Sequence, residues 1–164
     1  DPRRFGAVLW WPGPIDEHPL LKDLGIEPFD PRFDGRYLCR LTRKSRRPIK
    51  NFIMDQHIIA GVGNIYANEA LFLAGIHPTR PAESLNRREC DRLATAIRAV
   101  LARAIGDGGT TLRDFVNDQG QPGYFQLTLG VYGRDGLPCP RCHTPIQRIK
   151  LGQRATYFCP RCQR

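Results

Sequence analysis

Four cysteines near the end of the chain have a spacing that could bind a metal ion. They follow the pattern C-x2-C-x16-C-x2-C and are Cys139, Cys142, Cys159 and Cys162. Each Cys-x-x-Cys pair places two thiolates in one tight knuckle, and two knuckles complete the sulfur tetrahedron that Zn²⁺ prefers. The residues between the pairs read as a strand, a glycine turn and a second strand. The pattern therefore predicts a β-hairpin held by one structural zinc ion, with two disulfides or an iron site as the alternatives.

The other cysteines and the neighbouring histidine are given no chemistry. Cys39 and Cys90 are isolated in the sequence and are predicted to be small core residues. His143 follows a knuckle and could replace a ligand, but four cysteines already fill the site. Concentrating cysteines in metal knuckles is typical of a reducing compartment, so we expect a cytoplasmic protein.

The charge of the chain is strongly positive and unevenly distributed. The net charge is +9 and the pI is about 9.7. Residues 36–50 hold seven basic residues and no acidic one, and residues 134–164 hold seven against a single acid. Because four thiolates outweigh one Zn²⁺, part of the second stretch balances the zinc site. The remainder predicts a polyanionic partner, nucleic acid first, with a merely solubilising surface as the alternative.

A glycine-rich break between two helical patterns is the second candidate binding feature. Gly61 and Gly63 allow close backbone approach, and a helix starting at Asn64 would offer its N–H groups to an anion. Beside the basic stretches, that anion is predicted to be a DNA phosphate, and the charge and position of Lys50 and Arg154 support the same role. Taken alone, a glycine break between helices is usually only a turn.

The elements that must position these residues can be read from apolar periodicity. Helical signals begin at Pro48, a good first-turn residue, and a second helix runs from about Asn64 to a glycine cap at Gly75. Asn86 and Glu89 form a capping-box pattern at the start of a third helix. A short fourth helix is predicted from Thr111.

The chain as a whole is predicted to be mainly α, with a helical helix–two-turn–helix domain followed by a small zinc β-hairpin. We expect a strand over residues 1–12, a proline-rich linker over 13–34, the helical domain over 35–130 and the zinc hairpin over 131–164. No apolar run reaches the roughly 18 residues of a membrane span, and no segment resembles a signal peptide.

Several strings together resemble one enzyme family. The segment 55–78, DQHIIAGVGNIYANEALFLAGIHP, closely resembles the helix–two-turn–helix of bacterial formamidopyrimidine-DNA glycosylases, and 153–163, QRATYFCPRCQ, resembles their zinc finger. Segments 1–6, 108–115 and 120–125 are also similar, so the resemblance runs from residue 1 to 163. The sister endonuclease VIII group shares the architecture, but the GNIYA string and the intact loop 117–124 look closer to the formamidopyrimidine branch.

The resemblance implies a base-excision-repair activity. Family members flip oxidised purines such as 8-oxoguanine and formamidopyrimidines out of DNA and excise them. Their nucleophile is an N-terminal proline amine, which forms a Schiff base before strand elimination. Here Asp1 precedes Pro2, so the nitrogen of Pro2 is an amide and cannot serve. We therefore expect the C-terminal portion of a glycosylase, with 1–12 the remnant of a β-sandwich. This chain alone should bind double-stranded DNA as a monomer without catalysis.

The resemblance also assigns roles to individual residues. Arg154 would hold the phosphates at the lesion and donate a proton during elimination, while Arg3 would face the orphaned cytosine and Phe5 would wedge into the base stack. The loop 117–124 would cover the flipped base. Further DNA contacts are implied for Lys50, Gly63, Asn64 and Tyr132.

Glu69 lies among apolar residues on a predicted helix, where a hydrogen-bonded structural role is expected rather than that of a catalytic acid.

Two other functions compete with the glycosylase hypothesis: a stand-alone zinc-ribbon DNA-binding module, and a protein-interaction zinc ribbon with an incidental basic surface. The loop 117–124 favours the glycosylase, because a simple binding module needs no cover for a lesion.

Overall fold

The structure, a computed structural model, describes residues 8–107 and 129–164. Within these ranges the chain forms four α-helices followed by one two-stranded antiparallel hairpin. The elements are α1 (Gly35–Thr42), α2 (Ile49–Ile53), α3 (Asn64–Ala74), α4 (Arg87–Gly106), β1 (Gln147–Leu151) and β2 (Arg154–Phe158). The mainly helical fold with a terminal hairpin is therefore confirmed. Among the described helices, none combines the length and apolarity needed to cross a bilayer.

Helix α4 is the longest of the described elements and lies at the centre of the helical body. The capping box predicted at its start is present, with the Asn86 side chain accepting from the Glu89 N–H at 3.0 Å and the Glu89 carboxylate accepting from the Asn86 N–H at 2.9 Å. Its apolar face carries the fully buried Leu93 and contacts both α1 and α3. The apolar periodicity read from the sequence is thus the buried face of the helix.

The first helix, α1, was not predicted, because the first helical signal was placed at Pro48. In the structure Asp34 caps α1 by accepting from the N–H of Tyr37 at 2.7 Å. Leu38 is buried while Arg36 and Arg40 are exposed, so the helix is amphipathic. The prediction failed because the basic residues were interpreted only as a charged stretch and not as the polar face of a helix.

The predicted linker over 13–34 contains a 3-10 turn at Ile15–Glu17, and its second half packs on the helices. Phe33 is fully buried, and the Arg98 guanidinium donates to backbone carbonyls of this segment, including that of Pro28 at 2.8 Å. Gly25 lies so close to the α2–α3 connection that a Cβ there would be 2.3 Å from the carbonyl carbon of Ile58. This half of the linker is therefore part of the helical body.

The described part of the strand predicted over 1–12 is not a strand. Residues 8–12 have no β pairing with any described residue, and Val8 and Trp10 are largely exposed. A strand needs a hydrogen-bonded neighbour, which the described residues do not supply. Residues 1–7, the predicted helix from residue 111 and the loop 117–124 lie outside the described ranges, and the domain bounds stay predictions.

Helix α3 connects the two parts of the molecule. It follows the glycine break as predicted and ends at Gly75, whose φ of 71° is the left-handed cap conformation. One side packs on α4 and the other contacts β2. Because it is covered on both sides, α3 buries the polar Asn68 and Glu69 along with its apolar residues. These two polar side chains face the zinc hairpin.

Candidate zinc centre and nucleic-acid interface

The four cysteine sulfurs converge on one point. All four Sγ atoms lie within 4.8 Å of one another, with the Sγ of Cys142 at 3.5 Å from that of Cys159 and 3.4 Å from that of Cys162. Tetrahedral zinc with Zn–S distances of about 2.3 Å requires sulfurs about 3.8 Å apart. The cysteines are free thiols, so the disulfide alternative is not realised. The donor set and its size fit one zinc ion.

The knuckle backbone supports the sulfurs in the manner expected of a metal site. The N–H of Arg141 lies 3.4 Å from the Sγ of Cys139, and the N–H of Cys162 lies 3.4 Å from the Sγ of Cys159. His143 adopts a positive φ of 60° in the first knuckle and is exposed, consistent with a turn residue and not a ligand. Burial raises the pKa of Cys162 to about 12, and a divalent cation is what allows all four crowded thiols to ionise together.

The hairpin between the knuckles has the predicted strand–turn–strand form. β1 pairs antiparallel with β2, and the turn contains Gly152 with a φ of 60°. Arg154 follows the turn, opposite Leu151, and its side chain is exposed. The turn thereby presents the Arg154 guanidinium at the tip of the hairpin.

Lys50 has a different position from the one expected of a phosphate contact. Its side chain is fully buried, and its Nζ donates to the Thr156 hydroxyl at 2.7 Å and to the Ala155 carbonyl at 3.1 Å. Burial, and secondarily the charge of Arg154, lowers the pKa of Lys50 from 10.5 to about 8. Lys50 therefore joins α2 to β2, because the hairpin covers the face of α2 on which it lies.

Asn64, the first residue of α3, makes a second bond to the same carbonyl. Its Nδ2 donates to Ala155 O at 3.2 Å, while its Oδ1 is buried without a hydrogen-bond partner among the described residues. Gly63 is the N-cap and offers no side-chain cap, and both Gly63 and Gly61 are exposed. The first N–H groups of α3 are thus uncapped by Gly63 and lie beside the hairpin, an arrangement that suits an anion.

Glu69 has the structural role predicted for it. Its carboxylate accepts from three successive backbone N–H groups, those of Gly130 at 2.8 Å, Val131 at 3.0 Å and Tyr132 at 2.8 Å. The Tyr132 ring packs against Tyr157 with centroids 5.0 Å apart. The carboxylate therefore anchors the start of the zinc module to α3, and it positions Tyr132 beside the hairpin.

Two further polar residues of this contact were missed in the sequence. The Asn68 Oδ1 accepts from the N–H of Tyr157 at 2.7 Å. Gln163 accepts from the N–H of Cys159 and donates to Ile76 O, each at 2.9 Å. The available signal was a pair of adjacent polar residues, Asn68 and Glu69, inside an otherwise apolar helix. Arg3, Phe5 and the loop 117–124 lie outside the described residues, so their roles stay predictions.

Both the helical part and the zinc part of the chain match known protein families. The family described as "Formamidopyrimidine-DNA glycosylase H2TH domain" matches residues 24–116, and "Zinc finger found in FPG and IleRS" matches residues 136–164. A formamidopyrimidine-DNA glycosylase of Thioalkalivibrio sulfidiphilus is 60% identical over 164 residues, covering 100% of this chain and 60% of that protein. One from Bordetella avium is 57% identical over 168 residues, covering 100% and 61%. The chain thus spans about three fifths of the length of these relatives.

Solved structures give the same result. MutM (Fpg) from Thermus thermophilus superposes with a TM-score of 0.84 at 49% identity, over 90% of this chain and 56% of that one. Lactococcus lactis Fpg in complex with DNA containing an abasic site gives 0.81 at 39% identity, over 88% and 53%. With the four-cysteine cluster, the zinc-finger match identifies one structural zinc. From its helix–two-turn–helix and its zinc finger, this chain belongs to the formamidopyrimidine-DNA glycosylase family.

Proposed function

We propose that this chain is the DNA-binding portion of a base-excision-repair DNA glycosylase and AP lyase that acts on oxidised purines. The observation that carries the proposal is the junction at Ala155, whose carbonyl accepts from both Asn64 and Lys50. This junction brings the start of α3 next to the strand that carries Arg154. Two kinds of phosphate donor, backbone N–H groups and a guanidinium, are thereby held on neighbouring elements.

The direction of Arg154 follows from the alternation of β2. Arg154 and Thr156 share one face of the strand, and Thr156 is the residue that Lys50 contacts. Arg154 therefore points to the side of α2, where it lines a groove of about 260 Å³ with Asn51 and Met54. A phosphate in this groove would meet the Arg154 guanidinium with the buried Lys50 charge behind it.

Lys50 contributes in this proposal as a positioning residue. It is buried, so a direct phosphate contact would need a change in side-chain conformation. Its two bonds to β2 hold the strand that presents Arg154, and its charge adds to the positive potential at the groove. We retain direct DNA contacts for Gly63, Asn64 and Tyr132.

The substrate class is proposed from the relatives. Structures similar to this chain include a Lactococcus lactis Fpg variant in complex with DNA that contains Fapy-dG. The match of the helix–two-turn–helix over residues 24–116 also favours a glycosylase over a stand-alone zinc ribbon, because a ribbon module would not need that domain. The proton-donor role of Arg154 belongs to the same proposal, whereas monomeric state and cytoplasmic location stay predictions.

The test of DNA binding is a titration of normal and 8-oxoguanine duplexes between about 50 and 200 mM salt, where counterion release makes phosphate contacts strongly salt-dependent. Arg154→Ala should weaken binding to both duplexes and flatten the salt slope by about one unit. Arg103→Gln is the matched control, since Arg103 is exposed at the far end of α4 and pairs with Asp107. An affinity that does not change with salt concentration, or an Arg154→Ala protein that binds like wild type, would contradict the proposal.

Catalysis is tested separately by borohydride trapping, which captures a Schiff base covalently. We propose that these 164 residues alone form no trapped adduct with abasic or 8-oxoguanine DNA, because the Pro2 nitrogen is an amide. A trapped adduct would instead assign an amine nucleophile to this chain. Lys50→Met would then show whether the lysine with the lowered pKa is that amine.

A further inference from the structure

A cleft of about 760 Å³ lies between α1, the preceding segment and the connection between α2 and α3. Its lining includes Arg36, Tyr37 and Arg40 of α1, Ile26 of the preceding segment and His57 of the connection. Arg36 and Arg40 are four residues apart, so they lie on one face of the helix. The Arg40 guanidinium also stacks over the Tyr37 ring at 5.7 Å. The cleft thus combines two unpaired cations with an aromatic and aliphatic floor, and the Asp34 carboxylate that caps α1 also lines it.

These cations form no ion pairs with neighbouring acids. No carboxylate of the described residues forms an ion pair with Arg36 or Arg40, whereas Arg32 at the rim pairs with Asp30 at 2.6 Å. A second cavity of about 370 Å³ adjoins the same helix and adds Arg43 and Lys44. The exposed side of α1 is therefore a continuous strip of positive charge.

Helix stability does not account for Arg36. A cation near a helix N-terminus is repelled by the helix dipole, and the first turn of α1 contains Arg36 and no acidic residue. Arg40, in the last turn, is favourably placed with respect to the dipole. The N-cap carboxylate of Asp34 balances part of this charge, since the pKa of Asp34 is lowered chiefly by the Tyr37 N–H and also by the charge of Arg36. A negatively charged ligand in the cleft would balance the remainder together with the charge of Arg40.

The cleft and the proposed DNA-binding turn share one connecting segment. His57, which lines the cleft, belongs to the connection that leads into Gly61 and Gly63. Tyr37 donates from its hydroxyl to Ile58 O at 2.8 Å, and Gly25 donates from its N–H to Gln56 O at 2.7 Å. These bonds hold α1 and the preceding segment against the same loop that positions the start of α3. A nucleic-acid strand leaving that turn on this side would meet the cleft next.

We propose that the α1 cleft is a second phosphate-binding site, which holds the backbone of the same DNA duplex outside the segment held by Arg154 and the start of α3. This inference rests on the proposed function, since it extends the path of the same ligand. Arg36 and Arg40 bind phosphate oxygens, and the floor of Ile26 and Tyr37 accommodates the apolar faces of the sugars.

The test is the salt dependence of binding to a duplex of about 20 base pairs. Each neutralised phosphate contributes about 0.9 to the slope of log K against log salt, so Arg36→Gln with Arg40→Gln should flatten it by about two units. At 0.1 M salt, affinity should fall by on the order of tenfold for each arginine replaced. The double Lys variant keeps both charges and should retain the slope, and Arg103→Gln should leave it unchanged. Thermal unfolding confirms that the variants are folded.

The outcomes distinguish this inference from the proposed function. If Arg154→Ala flattens the slope and the double Gln variant does not, the α1 cleft is not on the DNA path and this inference is overturned alone. If neither variant changes the slope, both proposals fail. A titration with thymidine monophosphate tests whether the cleft binds a free nucleotide instead of the DNA backbone. Loss of mononucleotide binding in the double Gln variant, with duplex binding unchanged, would reassign the cleft to free nucleotides and overturn the proposal.

Discussion

Among residues 8–107 and 129–164, 23 buried apolar side chains form one continuous cluster in the helical body, whereas the cluster around the hairpin contains six, two of which are the zinc ligands Cys139 and Cys159. The described elements of the two regions also differ in what surrounds them. Helices α1 and α3 both pack on α4, while the hairpin has two strands and rests on α3. Apolar burial is enough to hold the first region, and a two-stranded hairpin by itself is at best marginal in water.

The second region compensates with directional interactions. The metal fixes the knuckles, and the Glu69 and Asn68 side chains satisfy backbone N–H groups of the zinc module. Lys50 adds two further bonds to β2 from α2. Each of these bonds depends on a single residue. A single substitution should therefore destabilise the zinc module while leaving the apolar core of the helical body intact.

The largest expected effect is the loss of the metal. Cys159→Ser should abolish stoichiometric zinc and unfold the hairpin while the helical body stays folded, because metal binding supplies about 10 kcal/mol or more to such modules. Elemental analysis would measure the zinc, and far-UV circular dichroism with NMR would follow the helices and strands. Cys90→Ala is the matched control, since Cys90 lies in the helical core and should leave one zinc per chain. Wild-type protein purified without stoichiometric zinc would contradict this expectation.

A smaller effect should follow from Glu69→Ala. The change leaves three N–H groups at residues 130–132 without their acceptor, and we expect a loss of about 4 kcal/mol, since each unsatisfied buried donor costs roughly 1–3 kcal/mol before water enters. Glu69→Gln keeps one acceptor oxygen and should lose about half as much. The measurement is urea unfolding, with zinc release monitored in parallel. A Glu69→Ala protein as stable as wild type would show that the carboxylate does not anchor the module.

The smallest of the three effects is a pH dependence at Lys50. Its folded pKa of about 8 lies below the ordinary 10.5, so between these values the unfolded chain binds more protons and the free energy of unfolding rises with pH. The full cost of the buried charge is present below about pH 8 and is relieved as the pH rises through this window. The resulting gain in the free energy of unfolding is at most about 3 kcal/mol.

Lys50→Met should remove this dependence. Unfolding of wild type and variant would be compared from pH 7 to about 10.5, so that other lysines, tyrosines and thiols cancel in the difference. The wild type should gain stability relative to Lys50→Met as the pH rises. Parallel curves would mean that Lys50 is not buried as a charge. It would then be free to reach solvent, and the direct phosphate contact implied by the family resemblance would regain support.

Local sequence determined the parts of this protein that depend on near neighbours. The cysteine spacing predicted the zinc hairpin, the Asn86–Glu89 pair predicted the start of α4, and Gly75 predicted the end of α3, because knuckles, capping boxes and left-handed caps involve residues only a few positions apart. Helix α1 could also have been found this way. The sequence shows Asp34 as a possible N-cap and Leu38 as an apolar position, but the basic residues around them were interpreted only as a charged stretch.

Only the tertiary structure decided how the candidate DNA-binding residues are used. Lys50 and Asn64 have the side-chain chemistry and the sequence positions of phosphate contacts. In the structure, however, both donate to Ala155 O, which is 105 and 91 residues away. Glu69 is satisfied by backbone N–H groups more than 60 residues away. No periodicity encodes such partners, because they depend on how the hairpin packs against α2 and α3. Whether a basic side chain is exposed, as Arg154 and Arg36 are, or buried as a joint between elements, as Lys50 is, follows from that packing.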